Sequence, residues 1–331
     1  MSNYLLWQKI IHRLFLGNIY FKKTLYKFEK IFFLKKDISD NLKISFENHI
    51  FITGLPRSGT TGLLNFLYSS KKFASLIYED MPFILAPNLY SLIVKKKSLR
   101  KKERLHKDSL FYNLKSPEAF DEVFLSCFKK KILKKELIKF ITLVLLKCKK
   151  KKYLSKNNYN YKRIKLILNT LPNSKILIPF RHPINQAISL YTQHLKFIDL
   201  QKKDPFILEY MNFLGHHEFG LNHKSWNKSF KYSNKGELNY WLEQWNLFYK
   251  KIIYENKNFQ KVKFICYEDF TTSKIYKLQI LDFVKINKHN SNINFLRHQN
   301  KIKKLPQSID GNLLNANIKL YKTMKKMNNV N

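Results

Sequence analysis

Short apolar runs alternate along the chain with longer stretches in which apolar residues recur every three or four positions. Three runs have the length and content of buried strands: His49–Thr53, Lys175–Phe180 and Val262–Tyr267. Helical periodicity follows each of them: Thr60–Ser69, residues 183–197 and Thr271–Val284. Strands that alternate with helices long enough for a crossover predict an α/β fold, with a parallel central sheet covered on both faces.

The region between the first two strands is predicted to be helical. Ser116-Pro117-Glu118 has the residues of a helix start, with a capping Ser, Pro in the first helical position and an acid near the positive helix end. The pattern that follows passes through Phe124 and Cys127 and becomes rich in lysine toward Lys152. Two more helices are predicted from periodicity: Lys162–Leu171 and Glu237–Tyr254.

No repeat and no linker rich in Pro, Gly or Ser divides the 331 residues. We therefore expect one domain over residues 43–331, preceded by a helical arm over residues 1–42. The start of the arm mixes Lys9 and Arg13 with apolar residues in an amphipathic pattern, without the small-residue cleavage site of a signal peptide. A helix packed on the domain is the favoured interpretation, and contact with a membrane surface stays open.

The charge balance is extreme, since 62 Lys and Arg face 23 Asp and Glu, for a formal net charge of +39. Such a charge suits nucleic acid, a membrane surface or an acidic glycan as partner. The basic residues are mostly Lys and are spread along the chain, so biased residue usage on solvated faces explains them better than one patch. Binding of nucleic acid would also need a known binding fold or basic patches interleaved with aromatic residues, and the sequence has neither.

The cysteines and the apolar segments bear on the compartment. Cys127, Cys148 and Cys266 are scattered without a CxxC pair, so they indicate neither a disulfide framework nor a zinc site. The longest apolar stretch, Phe140–Leu146, is far shorter than the roughly 20 residues of a spanning helix. The sequence therefore predicts a protein of a reducing compartment, the cytoplasm.

A glycine-rich turn follows the first strand and opens its helix. Its residues, Gly54 to Thr61, read G-L-P-R-S-G-T-T. The backbone N–H groups of such a turn surround an anion. Gly54 and Gly59 keep the spacing of G-x-x-x-x-G-K-[ST], but Thr60 stands in the Lys position, and Arg57 is the only cation of the loop. The loop is predicted to bind phosphate without the lysine that supports γ-phosphoryl transfer. A P-loop kinase or nucleotide-triphosphatase remains an alternative, because Arg57 could replace that lysine in part.

A second candidate phosphate site follows the second strand. Arg181 stands at the strand's carboxyl end in Phe180-Arg181-His182-Pro183, and Ser189 lies eight residues later in the next helix. Ligands of open parallel sheets bind at this end of the strands, and the planar guanidinium suits phosphate oxygens. Two phosphate sites on one sheet indicate a nucleotide that carries phosphates at two positions.

These residues resemble the sulfotransferase family, whose members use 3′-phosphoadenosine 5′-phosphosulfate as donor. The loop is similar to the family's 5′-phosphosulfate loop in its R-S-G-T-T form, and Arg181 to Ser189 is similar to its 3′-phosphate motif. Tyr267-Glu268-Asp269-Phe270, after the third strand, resembles a further family element. The likeness is strong over residues 50–68 and 174–194. It implies a P-loop NTPase-like three-layer domain with a parallel central sheet.

The resemblance implies that a sulfuryl group passes in line to a hydroxyl or amine of the acceptor, a carbohydrate, a lipid-linked glycan or another small molecule. It implies donor contacts for eight residues: Pro56, Arg57, Ser58, Gly59, Thr60, Thr61, Arg181 and Ser189. Arg57 and the loop amides would stabilise charge on the leaving bisphosphate, and no metal ion would be required.

The acceptor's proton needs a general base. Family members with this loop often carry a carboxylate on the segment after the loop helix, where this chain has Glu79 and Asp80. Their spacing from Arg57 differs slightly from the tyrosylprotein pattern, so the choice between them stays open. The segment His216–Glu218 could face the acceptor. Basic residues near the C-terminus could close over the 3′-phosphate, as in relatives: Lys301, Lys303 and Lys304.

Overall fold

The structure is a computed structural model that describes residues 4–34, 44–93, 102–103, 111–118, 120–256, 260–286 and 308–329. Its strands in these ranges are β1 (Ile50–Ile52), β2 (Phe73–Ala74), β3 (Lys102–Glu103), β4 (Phe111–Tyr112), β5 (Lys152–Lys156), β6 (Lys175–Phe180) and β7 (Val262–Cys266). The central sheet is parallel in the order β2-β5-β1-β6-β7, and β3 and β4 form a separate antiparallel pair.

The helices flank this sheet. They are α1 (Leu6–His12), α2 (Ile19–Phe33), α3 (Thr60–Tyr68), α4 (Pro87–Ile93), α5 (Asp121–Leu125), α6 (Lys130–Cys148), α7 (Ile164–Thr170), α8 (Pro183–Lys203), α9 (Pro205–Phe213), α10 (Leu238–Asn256), α11 (Tyr267–Thr272), α12 (Lys274–Phe283) and α13 (Gly311–Asn329). The α/β, P-loop NTPase-like three-layer fold expected from the sequence is confirmed.

Strand β1 lies in the middle of the sheet and is buried along its length. Its last residue, Ile52, pairs with Lys156 of β5 on one side and with Leu177 of β6 on the other. Because the strands are parallel, their carboxyl ends share one edge of the sheet. The loop after β1 therefore starts between the chain that leaves β5 and the chain that leaves β6, where an open parallel sheet binds ligands.

The region before β6 differs from the helical prediction. Ser116-Pro117 does not begin a helix, because the Ser116 hydroxyl accepts the Asn113 N–H in a turn and Pro117 bridges to Ile77. Helix α6 ends where Lys149 adopts a left-handed conformation with φ 50°, and the lysine-rich pattern then continues as strand β5. Burial of this strand between β1 and β2 outweighs its local lysine content.

The boundaries of the second and third predicted strands agree more closely. Strand β6 has the predicted bounds, and β7 ends one residue earlier than predicted. The single helix predicted over Thr271–Val284 is two helices, α11 and α12. Ser273 separates them in an extended conformation, and its hydroxyl accepts the Tyr276 N–H to cap α12.

Helices α1 and α2 form an N-terminal arm that packs on the rest of the chain. The fully buried Glu29 carboxylate caps α4 by accepting the N–H groups of Asn88 (2.8 Å) and Leu89 (3.0 Å). On α1, His12 packs against the rings of Phe206 and Tyr210, and burial lowers its pKa to about 4. The predicted boundary near residue 42 lies outside the described residues.

Candidate functional site

The loop between β1 and α3 contains three residues in left-handed backbone conformations. Gly54 and Gly59 have φ values of 147° and 96°, and Arg57 has a φ of 65°. For a side chain such as arginine this conformation costs about 1–3 kcal/mol, and residues strained in this way cluster at functional sites. The Ser58 hydroxyl donates to the Leu55 carbonyl over 2.7 Å and closes the turn. The first N–H groups of α3 have no partner within the helix, so the loop has the geometry of an anion site.

Buried hydrogen bonds fix this loop from the opposite side. Gln186 of α8 donates its Nε2 to the Pro56 carbonyl (3.0 Å) and accepts the Trp245 indole N–H of α10 (3.0 Å). Tyr249, one turn further along α10, donates to the Pro179 carbonyl of β6 over 3.0 Å. Gln186, Trp245 and Tyr249 are fully buried. The loop is therefore held by rigid core residues, which is what a preformed site requires.

The two motifs predicted to bind separate phosphates are in direct contact. Arg57 of the loop donates its Nε to the Ser189 hydroxyl of α8 over 3.0 Å. Thr60 is buried and Thr61 is half-buried at the start of α3. The residues expected at the two ends of a nucleotide thus border one continuous region at the carboxyl edge of the sheet.

Tyr267, the first residue of α11, links the two motifs through its ring. The Arg181 guanidinium lies over that ring, with Cζ 4.6 Å from the centroid. The same ring abuts Gly59, where an added Cβ would lie 2.4 Å from Cδ2. The Nε of Arg181 is buried and has no hydrogen-bond partner among the described residues. Leaving such a donor unsatisfied is costly, and an anion bound here would satisfy it.

Glu268 fixes the backbone that follows Arg181. One carboxylate oxygen accepts the His182 N–H at 3.0 Å, at the start of α8, and the other accepts the Tyr321 hydroxyl of α13 at 3.0 Å. Burial lowers the pKa of His182, and the Glu268 charge opposes that shift. The segment Tyr267-Glu268-Asp269-Phe270 follows β7, which pairs in parallel with β6. The residues after these two strands therefore share one edge of the sheet, and this is the signal for the contact in the sequence.

The two carboxylates considered for the base differ in their surroundings. Asp80 is only 1% exposed; it forms an ion pair with Lys147 and accepts the Ile77 N–H at 2.9 Å. Burial raises the pKa of Asp80, and Lys147 opposes the shift. Glu79 is half-buried, and its carboxylate makes no hydrogen bond or ion pair with the residues that the structure describes. Of the two carboxylates, Asp80 is thus engaged in a buried ion pair and Glu79 is not.

Lys156 is a buried cation beside the loop that the sequence did not single out. It is the last residue of β5, in register with Ile52, and therefore lies beside the start of the loop. Its Nζ is 3.4 Å from one oxygen of Glu118, and the other oxygen accepts the Tyr78 hydroxyl at 2.8 Å. Lys156 and Glu118 are both buried. The chain is rich in lysine, and Lys156 differs from the other lysines by its place at the end of a buried strand. The sequence pattern does not predict that strand.

The segment expected at the acceptor side reaches the same edge. Glu218 is buried and accepts the Asn158 side-chain amide at 3.1 Å. The Asn158 carbonyl in turn accepts the hydroxyl of Thr53, the residue before the loop, at 3.3 Å. Lys301, Lys303 and Lys304 lie outside the described residues. In the described ranges, no three His, Cys, Asp or Glu side chains come together as a metal site would need.

Comparison with known proteins gives a family match and two similar folds. Residues 49–287 match the model of the Sulfotransferase family. The sulfotransferase STF1 from Mycobacterium tuberculosis H37Rv is 11% identical with a TM-score of 0.51, over 83% of this chain and 76% of its own. The sulfotransferase STF9 from Mycobacterium avium is 12% identical with a TM-score of 0.51, over 82% of this chain and 71% of its own. These two structures show the fold. No curated protein matches the sequence.

Proposed function

The chain belongs to the sulfotransferase family, and we propose that its donor is 3′-phosphoadenosine 5′-phosphosulfate. The acceptor would be a hydroxyl or amine of a carbohydrate, a lipid-linked glycan or another small molecule. The observation that carries the donor proposal is the buried, unpartnered Nε of Arg181, held on Tyr267 beside the glycine-rich loop. A donor with an anionic group at each end would bind both the glycine-rich loop and the Arg181 guanidinium.

In this proposal the loop binds the 5′ end of the donor. The N–H groups at the start of α3, with the hydroxyls of Thr60 and Thr61, donate to the phosphosulfate oxygens. Pro56, Ser58 and Gly59 give the loop its shape.

Arg181 and Ser189 bind the 3′-phosphate. A serine hydroxyl that accepts a hydrogen bond still has its own O–H to donate, so Ser189 can accept from Arg57 and donate to the phosphate at the same time.

The transfer forms one bond and breaks one. The acceptor oxygen or nitrogen attacks sulfur, and the bond between sulfur and the bridging phosphate oxygen breaks, releasing adenosine 3′,5′-bisphosphate. The acceptor's proton passes to the Glu79 carboxylate. Arg57 and the loop amides stabilise the negative charge that develops on the bridging oxygen, because the loop surrounds that end of the donor. In this proposal the arginine and the loop amides balance that charge without a metal ion.

Ligand-dependent thermal stability tests the donor assignment. We expect adenosine 3′,5′-bisphosphate to raise the Tm more than ATP at the same concentration, because it can occupy both phosphate sites. Adenosine 5′-monophosphate, which differs from the bisphosphate only by the missing 3′-phosphate, is the matched control and should give a smaller shift. An equal or larger shift with ATP would contradict the proposal and favour a P-loop kinase or nucleotide-triphosphatase.

A further inference from the structure

Helices α1 and α2 expose an unusual number of large apolar side chains. We refer to these exposed side chains together as the arm face: Leu6, Trp7, Ile10 and Leu14 from residues 6–14, and Tyr20, Phe28, Ile31 and Phe32 from α2. Leu6 is 72% exposed and Phe32 is 68% exposed. Each aromatic side chain carries roughly 150–250 Å² of surface. The arm face therefore exceeds what scattered surface residues explain, and such faces mark interaction sites.

The packing of α2 fixes which side faces outward. Its buried residues are Lys22, Tyr26 and Glu29, on the side opposite Ile31. The Tyr26 hydroxyl donates to the Glu136 carbonyl over 3.1 Å, and Glu29 caps α4. The helix cannot turn its apolar side inward without breaking these buried bonds. The exposure of Phe28 and Ile31 is therefore a property of the folded chain.

The charges around the arm face indicate what can cover it. Lys23 and Lys27 are exposed on the same side of α2 as Tyr20 and Ile31, and neither forms an ion pair within the described ranges. Two copies of the chain docked through this face would bring these lysines together, in a protein of net charge +39. An anionic lipid surface avoids this repulsion, because it accepts apolar side chains and attracts lysine.

We propose that the arm face docks on the surface of an anionic lipid bilayer. Trp7 and Tyr20 are of the residue types enriched at the membrane–water interface, and Lys23 and Lys27 would lie at the level of the head groups. Docking would be in the plane of the interface. Within the part of the chain that the structure describes, no helix is both long and apolar enough to cross a membrane. This inference is independent of the donor and of the residues proposed for transfer.

Sedimentation of the full chain with lipid vesicles tests the proposal. The chain should sediment with vesicles of phosphatidylcholine mixed with phosphatidylglycerol, and much less with phosphatidylcholine alone. The triple variant Phe28→Gln/Ile31→Gln/Phe32→Gln should lower the partition coefficient at least about tenfold. The matched control is Tyr254→Gln/Ile275→Gln, which removes side chains that are 76% and 71% exposed on other helices, and it should bind like the parent.

Charge is tested separately with Lys23→Gln/Lys27→Gln. Binding to the anionic vesicles should fall about fivefold for each lysine removed. Circular dichroism and the Tm of every variant show whether it folds, and all the substituted side chains are on the surface.

Three results would overturn the proposal. The first is binding by the triple variant equal to that of the parent, and the second is an equal loss in the control variant. The third is sedimentation equilibrium in which the parent is a dimer and the triple variant a monomer, which would assign the arm face to a second copy of the chain.

Discussion

The loop between β1 and α3, here called the β1 loop, has β5 on one side and β6 on the other. The charged groups on these two sides differ in how they are paired. On the β5 side, Asp80 is paired with Lys147, and Lys156 with Glu118. On the β6 side, Arg181 has only the ring of Tyr267 beneath it and an Nε without a hydrogen-bond partner in the described ranges. A buried N–H donor without a partner is costly, so the half-buried Arg181 is suited to an external anion. The β6 side thus has the properties of an anion site, and the β5 side those of a neutral wall.

Glu79 is the carboxylate on the β5 side that escapes this pairing, and changing it should have the largest effect. We expect Glu79→Gln to lower kcat by about 10²–10⁴ at saturating donor, because the acceptor's proton loses its base. The affinity for adenosine 3′,5′-bisphosphate should not change. Turnover measured with labelled sulfate in the donor, together with calorimetric binding, checks both expectations.

The neighbouring carboxylates are the controls for this variant. Asp80→Asn should act on stability through Lys147, and its turnover should be retained below the unfolding temperature. If Asp80→Asn or Glu118→Gln loses turnover while Glu79→Gln keeps it, the base is on the paired part of the β5 side and the contrast between the two sides fails.

Arg181 provides the next largest effect, on the β6 side. We expect Arg181→Ala to weaken binding of adenosine 3′,5′-bisphosphate about 10- to 100-fold, the range for hydrogen bonds to a charged group. Binding of adenosine 5′-phosphosulfate should change little. Arg13→Ala, which removes a surface arginine paired with Glu209, is the matched control. An unchanged ratio of the two affinities would show that Arg181 does not contact the 3′-phosphate.

Glu268 should have the smallest effect, since it acts through the backbone at His182. We expect Glu268→Ala to weaken bisphosphate binding roughly three- to tenfold, because it loses the hydrogen bonds to His182 and Tyr321. Glu268→Gln can still accept the His182 N–H and should recover most of the affinity. The effect should appear in the KM for the donor and leave kcat unchanged. A change in kcat alone would indicate a different role.

The sequence predicted those parts of the site whose signals are local. An apolar run before a glycine turn identifies β1 and its loop, and an apolar run before Arg181 and Pro183 identifies β6. Both strands are buried in the middle of the sheet, so their composition is unambiguous. These segments also carry the resemblance to the family.

Long-range pairing decided what the sequence could not predict. Strand β5 begins and ends with Lys, and its burial depends on β1 and β2, which lie far away in the chain. Lys156 was missed with it. The contact of Arg57 with Ser189 spans 132 residues and has no local signal. On the arm, periodicity defines an apolar face of α2, but packing on α4 and α6 determines that the face is exposed.

The position of Tyr267 has a consequence for the choice of nucleotide. Its ring contacts both Gly59 of the loop and the Arg181 guanidinium, so it would set the separation of the two proposed anion sites. In the proposed complex, a ligand is then selected by the distance between its phosphates as well as by their charge. ATP carries all three phosphates at one end and cannot reach both sites. Discrimination against ATP, an abundant nucleotide, would then arise from the position of the Tyr267 ring, without any group that repels ATP.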